Sequence, residues 1–168
     1  LDDFLKIYYL TMDRNSAEKE YYFNRNFYET LNEMKDNIMY FHVVCNDKET
    51  GKDSIISSEL VIYGAENCYS YLGGTDNKYF EMRPNDFLKY EIIKWGIEKG
   101  LKNFVLGGGY GLDDGIFQYK KNLAPNGIVD FYIGKKIFNK QVYSELVELR
   151  TAENPVCKNS SFFPQYRA

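Results

Sequence analysis

The stretch of this chain richest in groups that can do chemistry is LGGGYGLDDGIFQYKKNL, residues 106–123, where glycines, two acidic residues and two lysines fall between apolar segments. A glycine run can cradle an anion, but the spacing fails as a dinucleotide fingerprint. Counted from Gly107 the sixth residue is Leu112, counted from Gly109 it is Asp114, and no Walker lysine follows. A conformational role fits better. Gly107, Gly108, Gly109 and Gly111 permit a tight turn with positive φ and let a substrate approach the backbone closely. Asp113 or Asp114 then caps a short helix ending in Lys120 and Lys121, with acids at its positive end and bases at its negative end. On that helix Ile116, Lys120 and Leu123 share a face, while Lys121 turns away by ~100°. The connection reads as strand, turn and helix, delivering Lys120 to a cleft. The same two lysines also suit a plain helix end that complements its dipole.

The elements around this connection follow from hydrophobic period. Phe4, Ile7, Tyr8 and Thr11 lie at helical spacing behind Asp2 and Asp3, and a second helix is expected around Phe23 to Met34 from Phe27, Leu31 and Met34. IMYFHVVC and IISSELVIYG are two strands joined by the polar turn NDKETGKDS, and CYSYLGG is a third, which makes an antiparallel meander. The period then changes. RPNDFLKYEIIKWGIEKG opens with Pro84 and a capping Asn85 or Asp86, spaces Leu88, Ile92, Trp95 and Ile97 along a helix, and stops at Gly100. NFVLGG is a short strand leading into the glycine turn, and GIVDFYIGKKIF, residues 127–138, is expected to be a last long strand. The order α-α-β-β-β-α-β-α-β predicts an α/β or α+β domain with a central mixed, mostly antiparallel sheet flanked by helices. One domain is expected over residues 1–150, with 151–168 as a C-terminal tail.

Composition narrows the function classes. A chain of 168 residues, 44% hydrophobic, suits one core. Its 16 tyrosines and 12 phenylalanines supply rings that fill cores or line grooves. A net charge of −3 argues against a broad nucleic-acid footprint while leaving room for a local basic pocket. Cys45, Cys68 and Cys157 are odd in number and far apart, so neither a disulfide framework nor a zinc site is suggested, and a cytoplasmic setting is the simplest inference. His42 is the only histidine, which excludes a histidine-based metal cluster, and its apolar surroundings read as a packed strand. No apolar run approaches the ~20 residues that cross a bilayer. The sequence starts inside a helical pattern, as a fragment of a longer chain would.

The segments FLKIYYLTMDRNSAEKEYYFNRNFYETL, YLGGTD, FLKYEIIKWGIEKGLKNFVLGGG and GIFQYKKNLAP, in this order over residues 2–139, resemble the C-terminal GNAT-like domain of FemAB-type transferases. That family comprises peptidoglycan interpeptide-bridge aminoacyltransferases and their relatives, which usually carry two GNAT-like domains in tandem. The resemblance implies acyl or aminoacyl transfer to an amine, with a muropeptide or another small molecule as acceptor. It also implies a missing N-terminal GNAT-like domain and aminoacyl-tRNA as donor, with no tightly bound cofactor. Acetyl-CoA is the alternative donor, and a non-catalytic binding half of a longer protein is the alternative role. An acetyl-CoA-dependent GNAT has Arg/Gln-x-x-Gly-x-Gly/Ala where this chain reads Arg83-Pro84-Asn85-Asp86-Phe87-Leu88. That stretch lacks glycine, Pro84 removes a donor, and Asp86 would repel a phosphate.

The family's Phe/Tyr-Lys-Lys/Arg stretch falls on Tyr119-Lys120-Lys121, so the resemblance makes Lys120 the catalytic candidate. A fixed cation beside a carbonyl becoming an oxyanion acts chiefly in the transition state. Arg14 matches an arginine near the nucleotide-phosphate end of the peptidoglycan precursor, and its guanidinium suits bidentate phosphate binding. It reads equally well as a solvated residue near a helix end. Tyr71 and Gly73 are candidates for lining the acceptor cleft, with Asp76 in the following turn, and Gly108 and Gly109 for contacting substrate. Edge-strand packing accounts for Tyr71 as well.

Overall fold

The computed structural model describes residues 1–46, 51–109, 111 and 114–168, in two compact units, Leu1–Leu123 and Ala124–Ala168. The expected turn over NDKETGKDS falls partly on residues 47–50, outside the described residues, as does Asp113. Residues 124–150, grouped with the domain in the sequence reading, belong to the second unit.

The first unit is built on a four-stranded sheet in the order β1-β2-β3-β4, with β1 Ile38–Asn46, β2 Asp53–Tyr63, β3 Asn67–Thr75 and β4 Asn103–Val105. The first three strands form the antiparallel meander and β4 joins β3 in parallel, so the sheet is mixed and mostly antiparallel. Helices cover both faces. On one face, α1 (Asp2–Arg14) and α2 (Arg25–Asn32) pack Phe4, Leu5, Tyr8 and Tyr28 against Ile38 and Leu60. On the other, α3 (Pro84–Glu98) packs Leu88 and Ile92 against Val43, Ile56, Val61 and Cys68.

The ends of α3 are set by local chemistry. Pro84 takes the first helical position, where its missing N–H costs nothing, after Arg83 in the left-handed region at φ 51°. Gly100, at φ +75°, closes the far end by donating to the Ile97 carbonyl. The buried face runs through Leu88, Lys89, Ile92 and Gly96; Trp95 packs edge-on against Phe41 and Tyr63, whereas Ile97 is exposed rather than core. In α2, which Asn24 caps by accepting from Phe27 N–H, the buried residue is Tyr28, while Met34 lies beyond the helix end and is exposed.

Two features of β3 position the site. At Gly74 a Cβ would lie 2.5 Å from Thr11 Oγ1 and 2.7 Å from the Ile7 carbonyl, so glycine lets α1 press onto the strand. The register against β2 also shifts: Leu60 faces Leu72 but Val61 faces Ser70, which leaves Tyr71 as the extra residue of a bulge.

In the second unit α5 (Lys140–Glu153), capped by Asn139, packs with short 3-10 turns at Pro155–Asn159 and Gln165–Arg167. The strand expected over 127–138 is not formed; Val129, Phe131 and Tyr132 are more than 80% exposed. An apolar run becomes a strand only where a neighbouring edge pairs with its N–H and C=O groups, and the described residues of this unit hold no strand. Among the described residues, no helix is long and apolar enough to cross a membrane.

Candidate functional site

The glycine connection joins β4, which ends at Val105, to a helix that begins at Gly115, and its described residues are 106–109, 111 and 114. Gly107 takes φ +70°, and a Cβ at Gly109 would collide with the Asp114 carboxylate. Asp114 caps α4 (Gly115–Leu123), accepting from Phe117 N–H at 2.8 Å and from Gly111 N–H at 2.7 Å. Of the two expected capping candidates, Asp114 therefore takes the role. Along α4, Ile116, Tyr119 and Lys120 face a cleft of about 500 Å3, while Lys121 stays exposed outside it.

The other walls come from α1, β2, β3 and α3. Arg14, Arg83, Lys89 and Lys120 line the cleft together with Glu59 and Asp86, so four basic and two acidic side chains meet in a chain whose net charge is negative. This is the local basic pocket that composition allowed. Arg14 stands at the C-terminal end of α1, with its guanidinium 5.0 Å from the Phe80 ring centre and one N–H donating to the Thr75 carbonyl at 2.7 Å. Gly73 lines the cleft beside Glu59.

Lys120 is half-buried, and its ammonium donates to the Gly108 carbonyl at 2.6 Å. Burial, and then the like charge of Lys89, hold its pKa below the ordinary lysine value, against the opposing pull of Asp114 and Glu59. The Tyr119 hydroxyl accepts from Asn85 Nδ2 at 2.9 Å, and burial followed by the Asp86 carboxylate pushes its pKa up, so the phenol stays protonated.

Of the residues singled out in the sequence, Arg14, Gly73, Tyr119 and Lys120 come together in this cleft. Tyr71, Gly108 and Gly109 are not among its lining residues, although Gly108 touches Lys120 through its carbonyl. Asp76 caps the 3-10 turn after β3, accepting from Lys78 N–H at 3.0 Å. His42 lies on β1, where its Nδ1 shares a 2.8 Å hydrogen bond with Ser58 Oγ.

Sequence reasoning missed a buried ion pair that lines the same cleft as Lys120. Lys89 Nζ donates to Glu59 Oε1 at 2.6 Å, to Oε2 at 2.5 Å and to Ser70 Oγ at 2.8 Å, and both charged side chains are under 10% exposed. The available signal was Glu59 alone within the apolar run of β2, a place where an ionised group needs a partner.

The cleft lies within the segment that matches a known family: residues 1–121 match the family described as acetyltransferase (GNAT) domain. No curated protein matches the chain. Members of such a family transfer an acyl group to an amine, and GNAT acetyltransferases take it from acetyl-CoA. With its mixed sheet, flanking helices and a match over well above half its length, the chain belongs to the acetyltransferase (GNAT) domain family.

Proposed function

We propose that this domain carries out acyl transfer of the FemAB type, moving an aminoacyl group from aminoacyl-tRNA to the amine of a small, phosphate-bearing acceptor such as a peptidoglycan precursor. The observation that carries the reading is the shared cleft of Lys120 and Arg14, with Lys121 outside it. The acceptor nitrogen attacks the ester carbonyl carbon, a C–N bond forms, and the bond to the ribose oxygen breaks. The amine gives up a proton and the departing ribose hydroxyl takes one. Lys120 places its ammonium against the oxygen that becomes negative, a contact strongest in the transition state. Arg14 holds the acceptor's phosphate end, and Gly73 leaves room for the acceptor beside β3. Tyr119 presents a neutral phenol next to the reacting lysine. Tyr71, Gly108 and Gly109 contribute at most at the rim.

The donor preference rests on the start of α3. Pro84 occupies the first helical position and Asp86 the first turn, where a pyrophosphate would need bare N–H groups. A reaction fed by aminoacyl-tRNA belongs in the cytoplasm, and a second GNAT-like domain would complete the acceptor site. The family description favours acetyl-CoA as the second reading. Calorimetric titration separates the two. Weak or undetectable binding of acetyl-CoA is the expected result, and micromolar affinity would transfer the assignment to acetyl-CoA-dependent N-acetylation.

A further inference from the structure

The Glu59–Lys89 pair takes no part in the transfer step as written, yet it is the most deeply buried charge in the cleft. Moving both ions out of water costs several kcal/mol each, and apolar residues of similar volume commonly serve stability as well or better. Leu88 and Ile92 on the same helix face show that apolar side chains pack there. Stability alone therefore gives weak reason for a lysine at position 89. Substrate contact gives little more, because the three ammonium donors have Glu59 Oε1, Glu59 Oε2 and Ser70 Oγ as acceptors. What remains is its field, and Lys120 shares the cleft with it.

We propose that the Glu59–Lys89–Ser70 cluster is a positioning device for Lys120, a fixed ion pair in the cleft that governs how firmly the reacting lysine holds its proton. The inference rests on the transfer role of Lys120 proposed above. Glu59 on β2 and Lys89 on α3 act on Lys120 with opposite sign, and Asp114 at the head of its own helix acts in the same sense as Glu59. Arg83 just before α3, Asp86 in its first turn, Arg14 from α1 and the Tyr119 phenol complete the charged and titratable lining. Lys89 outweighs Glu59 in this balance, so the pair as a whole weakens proton binding at Lys120 and reinforces the effect of burial. An ammonium that holds its proton less firmly is a stronger donor to a developing oxyanion and protonates the departing oxygen more readily. Ser70 holds Lys89 from the β3 side, where the bulge at Tyr71 brings it.

The test needs no substrate. In protein labelled with 13C and 15N at lysine, the Nζ resonance of Lys120 is titrated in the parent, in Lys89→Met, and in the double variant Glu59→Gln with Lys89→Met. The double variant leaves no unpaired buried ion, so a fold lost in the single variant is retained there. The Lys120 midpoint is expected to move to higher pH in both variants, less in the double one, while Lys121 stays where it is. A midpoint unmoved in either variant, once folded, overturns the proposal. A transfer assay of Lys120→Met separates this outcome from a failure of the wider reading. Full turnover in that variant removes the catalytic lysine itself, whereas loss of turnover beside an unmoved midpoint removes only the positioning role.

Discussion

Replacing Lys120 by methionine keeps the apolar stem on the cleft wall and deletes the charge. In the resting protein the ammonium donates to the Gly108 carbonyl at 2.6 Å, and Gly108 is exposed, so water takes over that acceptor when the lysine is gone. The half-buried ammonium also sheds its desolvation cost, and the net change in stability stays within ~1 kcal/mol. The transition state loses more. A preorganised donor to an oxyanion is worth ~2.7–4 kcal/mol, and at ~1.36 kcal/mol per decade turnover falls by about 100-fold or more. Because the interaction is absent from the ground state, KM should change little. The assay is steady-state transfer of a labelled aminoacyl group to an amine acceptor, with any further domain of the native protein supplied, reading kcat and KM separately. Lys121→Met is the control, since Lys121 lies outside the cleft and should lose little. Equal loss in both variants, or an active Lys120→Met, would refute the reasoning and leave the lysines as partners of the α4 dipole, worth only ~0.3–1 kcal/mol.

Arg14→Ala should weaken binding of a nucleotide-linked muropeptide and flatten its salt dependence, because one charge-assisted phosphate contact is lost; identical affinity and salt slope would leave Arg14 with its structural contacts to Thr75 and Phe80. Tyr28→Phe should stabilise the first unit by ~1 kcal/mol, seen as a rise of a few degrees in Tm, since the fully buried hydroxyl finds no hydrogen-bond partner among the described residues. A lower Tm would mean that the hydroxyl is satisfied after all. Gly74→Ala should cost roughly 1–3 kcal/mol, because the new methyl meets the Ile7 carbonyl of α1, which cannot rotate away. An unchanged Tm would show that α1 shifts without penalty.

What could be read from the chain was local. The change of period from two to near four, Pro84 at one end and Gly100 at the other, define α3 without reference to anything distant. The meander follows from three runs rich in apolar and aromatic residues separated by turn residues. The preference for Lys120 over Lys121 follows from helix geometry alone: a residue three or four positions from Ile116 shares its side, and the next one does not. The segment 127–138 shows the limit of such reasoning, since its apolar and aromatic residues suit a strand but do not supply the edge that would make it one.

The site residues divide along the same line. Tyr71 and Gly73 are two apart, which on a regular strand puts them on one face; the bulge consumes Tyr71 as an unpaired residue, so Gly73 lines the cleft while Tyr71 does not. Register between strands depends on pairing across the sheet, and nothing in CYSYLGG marks it. Likewise, Glu59 and Lys89 are 30 residues apart; Glu59 is a lone charge in its strand, and Lys89 looks like one of several charges on an amphipathic helix. The sequence by itself determined that a lysine would project from a short helix after a glycine turn, because backbone freedom, capping and helical period act within a few residues. Only the tertiary structure decided what that lysine faces, because burial and the field of a distant ion pair exist only once β2, β3, α3 and α4 are packed together.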